Sequence, residues 1–232
     1  MRAFADLHQT LEAFWQLPFH NNPALADKLN QVQVWQRQRI HQTHQALFGI
    51  DKHQAMGEFL IDKLYGGEKF NLLAKQLGRI VGKAEKIEKF IPKTAIETGV
   101  GGISEAINAI KLDLQLAQYL FDHQLDVNDA NMIAAYQAVN AKAERVQQIN
   151  DLKAMCYQTD KYIKSFVLQK AFALAKGTAY KYKYEPLYDF IAEGFTAMKP
   201  IKSIGKFIEP FCAKELQIID NVHTGKDQPF DV

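Results

Sequence analysis

Apolar residues along this chain recur at intervals of three and four, the spacing that gathers side chains onto one face of a helix. Phe4, Leu7, Leu11, Phe14 and Trp15 predict a first amphipathic helix that stops near Leu17-Pro18. Asn22-Pro23 predicts the next start, a capping side chain followed by a proline whose missing N–H is not needed in the first turn. That second helix is expected to reach about Phe48, with Leu25, Leu29, Val32, Ile40 and Leu47 inward. The Gln-, Arg- and His-rich residues of 31–45 would then face outward. Met56, Phe59, Leu60 and Leu64 make the next apolar face, with Asp51 as its cap and the pair Gly66-Gly67 as its stop. A short, mostly apolar helix that ends sharply is expected to be a central packing element.

The pattern continues to the end of the chain. A fourth helix is predicted over Glu68–Phe90, carrying Phe70, Leu73, Leu77, Ile80, Val81 and Ile87, with a charged, solvated face at 83–89 and Pro92 as its stop. Gly99-Val100-Gly101-Gly102 reads as a flexible lead-in to a fifth helix with Ile103, Ile107, Ile110, Leu114 and Phe121. Asn128 is the expected cap of a sixth, which carries Ile133, Tyr136 and Val139. Residues 141–157 and 160–176 form two helices or one bent one. Pro186 opens a helix with Leu187, Phe190, Ile191, Phe195 and Met198; Pro200 precedes a last one, kinked at Pro210 and reaching about Asn221. Alternating strands and tandem repeats are missing from the pattern. The expected fold is all-α: a single-domain bundle of roughly eight to ten helices over residues 1–223, with a polar tail at 224–232.

The segment Phe59-Leu60-Ile61-Asp62-Lys63-Leu64-Tyr65 resembles the seven-residue signature of the bacterial FFLEELY-motif proteins. Phe59, Leu64 and Tyr65 match it outright; Leu60, Ile61 and Asp62 are conservative replacements, and Lys63 reverses a charge. Ala135-Tyr136, Arg145 with Gln148-Ile149, and the run from Phe190 to Ala197 are similar to later parts of that family. The resemblance implies an all-helical bacterial domain. It supplies no activity and no catalytic residue.

Composition narrows the function classes. With 232 residues, 47% hydrophobic and 23% charged, the chain can bury a substantial core, and a net charge of +2 does not mark a general nucleic-acid binder. Cys156 and Cys212 are too few for a disulfide framework and lack paired metal spacing, so both are expected to be reduced and partly buried. The first residues, Met1 to Asp6, carry an early acid and no long apolar core, unlike a secretory signal. No apolar run approaches the ~18 residues of a membrane span. The expected location is the cytoplasm.

Candidate chemistry is sparse. His41, His44 and His53 lack the Glu-x-x-His spacing with which helical bundles present two ligands from one turn, so neither a metal nor a cofactor is expected. The glycine run at 99–102 lacks the strand and the Lys-Ser or Lys-Thr pair of a nucleotide loop. Ionisable residues on apolar faces are more informative, because a charge buried alone is prohibitive. Asp62, Tyr65, Asp113, Arg145 and Glu193 are therefore the candidate buried polar network, structural or lining a pocket. Between 161 and 206 lysines outnumber acids, and Tyr180-Lys181-Tyr182-Lys183 alternates rings with charges, a candidate surface for phosphates, acidic partners or lipid headgroups. These features favour a non-enzymatic binding or protein-interaction module, whose partner would be another protein or a second copy through the aromatic first helix. A ligand carrier or enzyme with a pocket among the buried polar groups is the alternative, and weak nucleic-acid binding through the basic segment the third.

Overall fold

The computed structural model describes residues 2–65, 67–81 and 93–232. Within them run eleven α-helices: α1 Arg2–Trp15, α2 Pro23–Thr43, α3 Gln45–Phe48, α4 Asp51–Glu58, α5 Gly67–Val81, α6 Lys93–Asp122, α7 Asp129–Val139, α8 Lys142–Ile163, α9 Phe166–Lys181, α10 Glu185–Met198 and α11 Gly205–Thr224. A 3-10 turn occupies Pro18–Asn21 and a π-helical segment, Phe59–Leu64, extends α4. No strand occurs among the described residues. The all-α class follows from the periodicity.

α6 is the axis of the bundle and touches α1, α2, α7, α8 and α10. Ile103, Ile107, Ile110, Leu112, Leu116 and Leu120 are all buried, so its apolar surface extends well around the helix. A helix apolar around much of its circumference is stable only when neighbours cover it. Side-chain caps fix several starts. The Asn22 side chain accepts from the Leu25 N–H at 3.2 Å, Asn128 from the Asn131 N–H at 3.0 Å, and Ser165 from the Leu168 N–H at 3.4 Å. Ser165 separates α8 from α9, which are two helices rather than one bent one.

The structure departs from the periodic reading at several places. The helix expected to reach Phe48 breaks at His44, whose ring is buried against Phe211 and hydrogen-bonded to Glu215. Asp51 does not cap α4; Ile50 holds that position and Asp51 lies in the first turn, where its charge complements the helix dipole. The run Gly99–Gly102 is no loop but the interior of α6. A Cβ at Gly99 would meet the Ile191 side chain at 2.7 Å, and Gly102 faces Phe190 and Met155, so the absent side chains admit α10 and α8 at close range. Finally, the last residues fold back. Phe230 sits edge-on to Trp35, and Asn221 donates to the Pro229 carbonyl at 3.1 Å.

Other expectations fare variously. Phe14 is fully buried and meets Phe19 and Phe70, so at least this ring of the first helix completes the core, whereas Trp15 is partly exposed. Met56, Leu60, Ile61 and Leu64 are buried, as a central element requires, and Phe59 is half-buried against Phe190 and Gly194. The charged face at 83–89 lies outside the described residues.

Candidate functional site

One continuous polar chain runs through the apolar interior. It begins at Glu215 on α11, which accepts two hydrogen bonds from Arg39 Nη1, at 2.6 and 2.7 Å, and faces His44 Nε2 at 2.8 Å. Arg39 Nη2 donates to the Gln36 carbonyl oxygen at 3.3 Å. The Gln36 amide in turn donates to the Tyr136 hydroxyl oxygen and, at 3.3 Å, to Asp113 Oδ1. Asp113, 1% exposed on α6, also accepts from the Tyr65 hydroxyl and from Arg145 Nη2 at 3.4 Å. Arg145 donates as well to the Leu112 carbonyl at 3.0 Å and lies over the Tyr136 ring, 4.7 Å from its centre.

Each charge in this chain has an opposite partner. Arg39 faces Glu215 and Arg145 faces Asp113, the arrangement that makes burial of ions tolerable. The titrations follow. Burial alone would push the Glu215 carboxyl up, but the Arg39 charge and the hydrogen bonds from His44 and Arg39 overcome it and hold it at about 2. Burial and the neighbouring Asp113 charge push the Tyr65 phenol well up, and burial also raises Tyr136 despite the two guanidinium groups beside it. Both phenols therefore stay protonated, Tyr65 as a donor to Asp113 and Tyr136 as the acceptor of the Gln36 amide.

The chain does not fill the interior around it. A cavity of about 110 Å3 lies between α2, the π segment, α6, α7, α8 and α11. Arg39, Tyr65, Tyr136, Arg145 and Glu215 form its polar wall, while Leu60, Leu64, Ile149, Leu152, Ile218 and Val222 are among its apolar lining. Two further ionisable groups line it. Glu105 on α6 is pushed up to about 7 by burial and by the Asp151 charge, and His223 on α11 is pushed down by burial and by Lys142 and Arg145.

Of the five residues expected in the network, Tyr65, Asp113 and Arg145 are brought together. Asp62 and Glu193 are not. Asp62 is half-exposed, 3.9 Å from His41, and Glu193 is half-exposed and bonded to Lys63 at 2.7 Å. Asp62 and Tyr65 would be neighbours on an α-helix, but the π segment bonds i to i+5, which widens the turn and separates residues three apart. Glu193 follows the buried Phe190 by three, yet falls on the side of α10 that meets Lys63 and solvent.

Sequence reasoning missed Gln36, Arg39, His44, Tyr136 and Glu215. A signal existed. Gln36 lies on the stripe Leu29–Gln33–Gln36–Ile40, and Glu215 on the stripe Phe211–Glu215–Ile218. His41, His44 and His53 go separate ways, and among the described residues no group of three or more His, Cys, Asp or Glu is placed to hold a metal. Both cysteines are buried, with burial the first cause raising their thiols, Cys156 to about 12 and Cys212 to about 11.

At the basic segment, Tyr180 is partly exposed and donates to Asp189 at 2.7 Å, Tyr182 is partly exposed, and Lys183 takes a left-handed φ of 62°. Lys176 lies 5.4 Å over the Tyr180 ring and Lys181 5.9 Å over Tyr182. The outer face of α9 also exposes Phe166, Val167 and Leu174 by 70%, 73% and 83%. No helix among the described residues is long and apolar enough to cross a membrane.

Fold and site together define an all-helical bundle with a compensated ionic chain beside a cavity partly open to solvent. The chain belongs to the family described as a domain of unknown function (DUF8198), which matches residues 16–229. No curated protein and no solved structure matches it.

Proposed function

We propose that this protein binds a small molecule in the cavity between α2, α6, α8 and α11, as a cytoplasmic carrier or sensor rather than a catalyst. The observation that carries the reading is the cavity beside a satisfied polar chain. Interiors are normally filled to crystal-like density, and a hollow of this size, even one partly open to solvent, leaves apolar walls short of dispersion contacts. An engineered apolar cavity of about 150 Å3 takes up benzene. A hollow of about 110 Å3 in a bundle is therefore on the scale of a small organic group. Glu215, Tyr65 and Tyr136 are held away from neutral titration and bonded to partners within the chain, which leaves Glu105 rather than these groups to meet a ligand. The similarity to the FFLEELY-motif proteins fits this reading without adding an activity to it.

The test fills the hollow. Ala109 is buried on its wall, so Ala109→Leu places side-chain atoms where the ligand would sit. 1-Pentanol should raise the melting temperature of the wild type by mass action and leave Ala109→Leu unmoved. Equal responses would reject the reading.

A second reading rests on α9. Phe166, Val167 and Leu174 stand outward on one side of the helix, with Lys170 and Lys181 among them and Lys176 and Lys183 nearby. Apolar side chains interleaved with lysines suit an anionic lipid surface, where the rings enter the interface and the ammonium groups meet phosphates. A second copy would instead bring more lysines to the contact. Retention on phosphatidylserine vesicles that is lost in Lys181→Glu/Lys183→Glu supports it; retention unchanged by that variant, or none at all, ends it.

A further inference from the structure

Two polar atoms belonging to residues that line the cavity have no hydrogen-bond partner within the protein: Oε2 of Glu105 and Nε of Arg39. Arg39 is more than nine-tenths buried, at 9% exposed. A buried polar atom left unpaired costs about 1–3 kcal/mol, so these two atoms are the groups around the hollow that a polar ligand would satisfy. The two differ in what surrounds them. The Arg39 charge is already met by Glu215, whereas Glu105 has a second carboxylate, Asp151, as its charged influence. An anionic ligand would add a further negative charge there, and a neutral one would leave the influence of Asp151 on Glu105 unrelieved.

We propose that Glu105 is the recognition group of the cavity and that the ligand is a small primary amine with a short apolar body. This rests on the cavity being a ligand site, as argued above. The ammonium group donates to Glu105 and neutralises the Glu105–Asp151 repulsion, and the hydrocarbon covers Leu60, Ile149 and Leu152. The walls suit such a shape: on α8 the residues from Arg145 to Leu152 span about 10 Å at the helical rise, polar at one end and apolar beyond. Because Glu105 titrates near neutrality, amine binding is linked to pH. Between pH 8 and pH 6 the carboxyl takes up its proton and affinity falls about tenfold.

Three probes of one length and different charge test this: n-pentylamine, 1-pentanol and pentanoate, titrated calorimetrically into wild type, Glu105→Gln and Ala109→Leu at pH 8 and pH 6. Glu105 is only partly buried, so the glutamine variant is expected to fold. The expected result is pentylamine binding to wild type about tenfold or more tighter than the other two, weakening at pH 6. Glu105→Gln should lose that preference and keep its 1-pentanol affinity. Equal affinity for the three probes, or a preference that survives Glu105→Gln, overturns the role of Glu105 and leaves the cavity reading standing. No binding of any probe to wild type overturns both.

Discussion

Asp113 shows how tightly residue identity is bound to its surroundings. Its carboxylate is met by a tyrosine, a glutamine and an arginine drawn from three different parts of the chain. Removing the countercharge with Arg145→Ala should destabilise by about 3–5 kcal/mol, since Asp113 would be left without its cation. Glu193→Ala breaks only the half-exposed pair with Lys63 and should change stability by less than about 1 kcal/mol. Urea denaturation of the two variants checks the contrast. Glu215 adds a pH signature. Its folded pKa of about 2 lies below the ordinary 4.5, so its contribution is complete above pH 4.5 and disappears as pH falls through 2. The difference corresponds to about 3 kcal/mol, and Glu215→Gln should abolish that part of the acid transition. Asp113 and Arg145 were legible in the sequence because each interrupts an otherwise apolar stripe. Gln36 lies on such a stripe too, but its neighbours Gln33 and Gln38 make a polar residue look ordinary there and mask the signal. Glu215 likewise has Lys214 beside it and reads as a solvated pair.

At the scale of elements, helix existence was legible and helix geometry less so. Proline and asparagine mark the starts of α2, α7 and α10 in plain view, because capping chemistry is local. The π segment is invisible to a periodicity argument: Leu60 and Leu64 are buried with either winding, and only Asp62 reveals the difference. The glycines of α6 misled for another reason. A glycine run has the same composition whether it supplies freedom to a loop or closeness to a helix pair. The two roles separate experimentally. Gly99→Ala should destabilise by about 1–3 kcal/mol, because its Cβ would overlap Ile191. Gly101 has nothing within 4 Å of its would-be Cβ, so Gly101→Ala should stabilise the helix by about 0.5–1 kcal/mol. Thermal denaturation that showed the two substitutions to be equivalent would place these residues in a flexible loop after all.

For the whole molecule, the ionic chain and the cavity share helices, so folding register and ligand capacity are set together. Gln36, Asp113, Arg145 and Glu215 tie α2, α6, α8 and α11 into one arrangement, and those helices bound the hollow. Glu105 gives the assembly an opposite pH dependence to Glu215. Its folded pKa is raised to about 7, so the folded form holds a proton that the unfolded form has released, and stability declines as pH rises from 4.5 to 7. Glu105 is only partly buried, so the loss should be about 1–2 kcal/mol after screening, and Glu105→Gln should flatten it. Tyr65 and Arg145 on the wall were legible as polar groups that could line a pocket, but Glu105 and the shape of the hollow were not, because a cavity is a property of the volume between helices.

Methyl NMR of 1-pentanol binding tests the central claim most directly. In wild type, addition of 1-pentanol should shift the methyl resonances of Leu60, Ile149, Leu152 and Ile218, which line the cavity, and leave Leu7 and Leu25, buried elsewhere, in place. The same titration of Ala109→Leu should leave all six unmoved. Cavity methyls that do not respond in wild type, or that respond equally in Ala109→Leu, would contradict a ligand site between these helices.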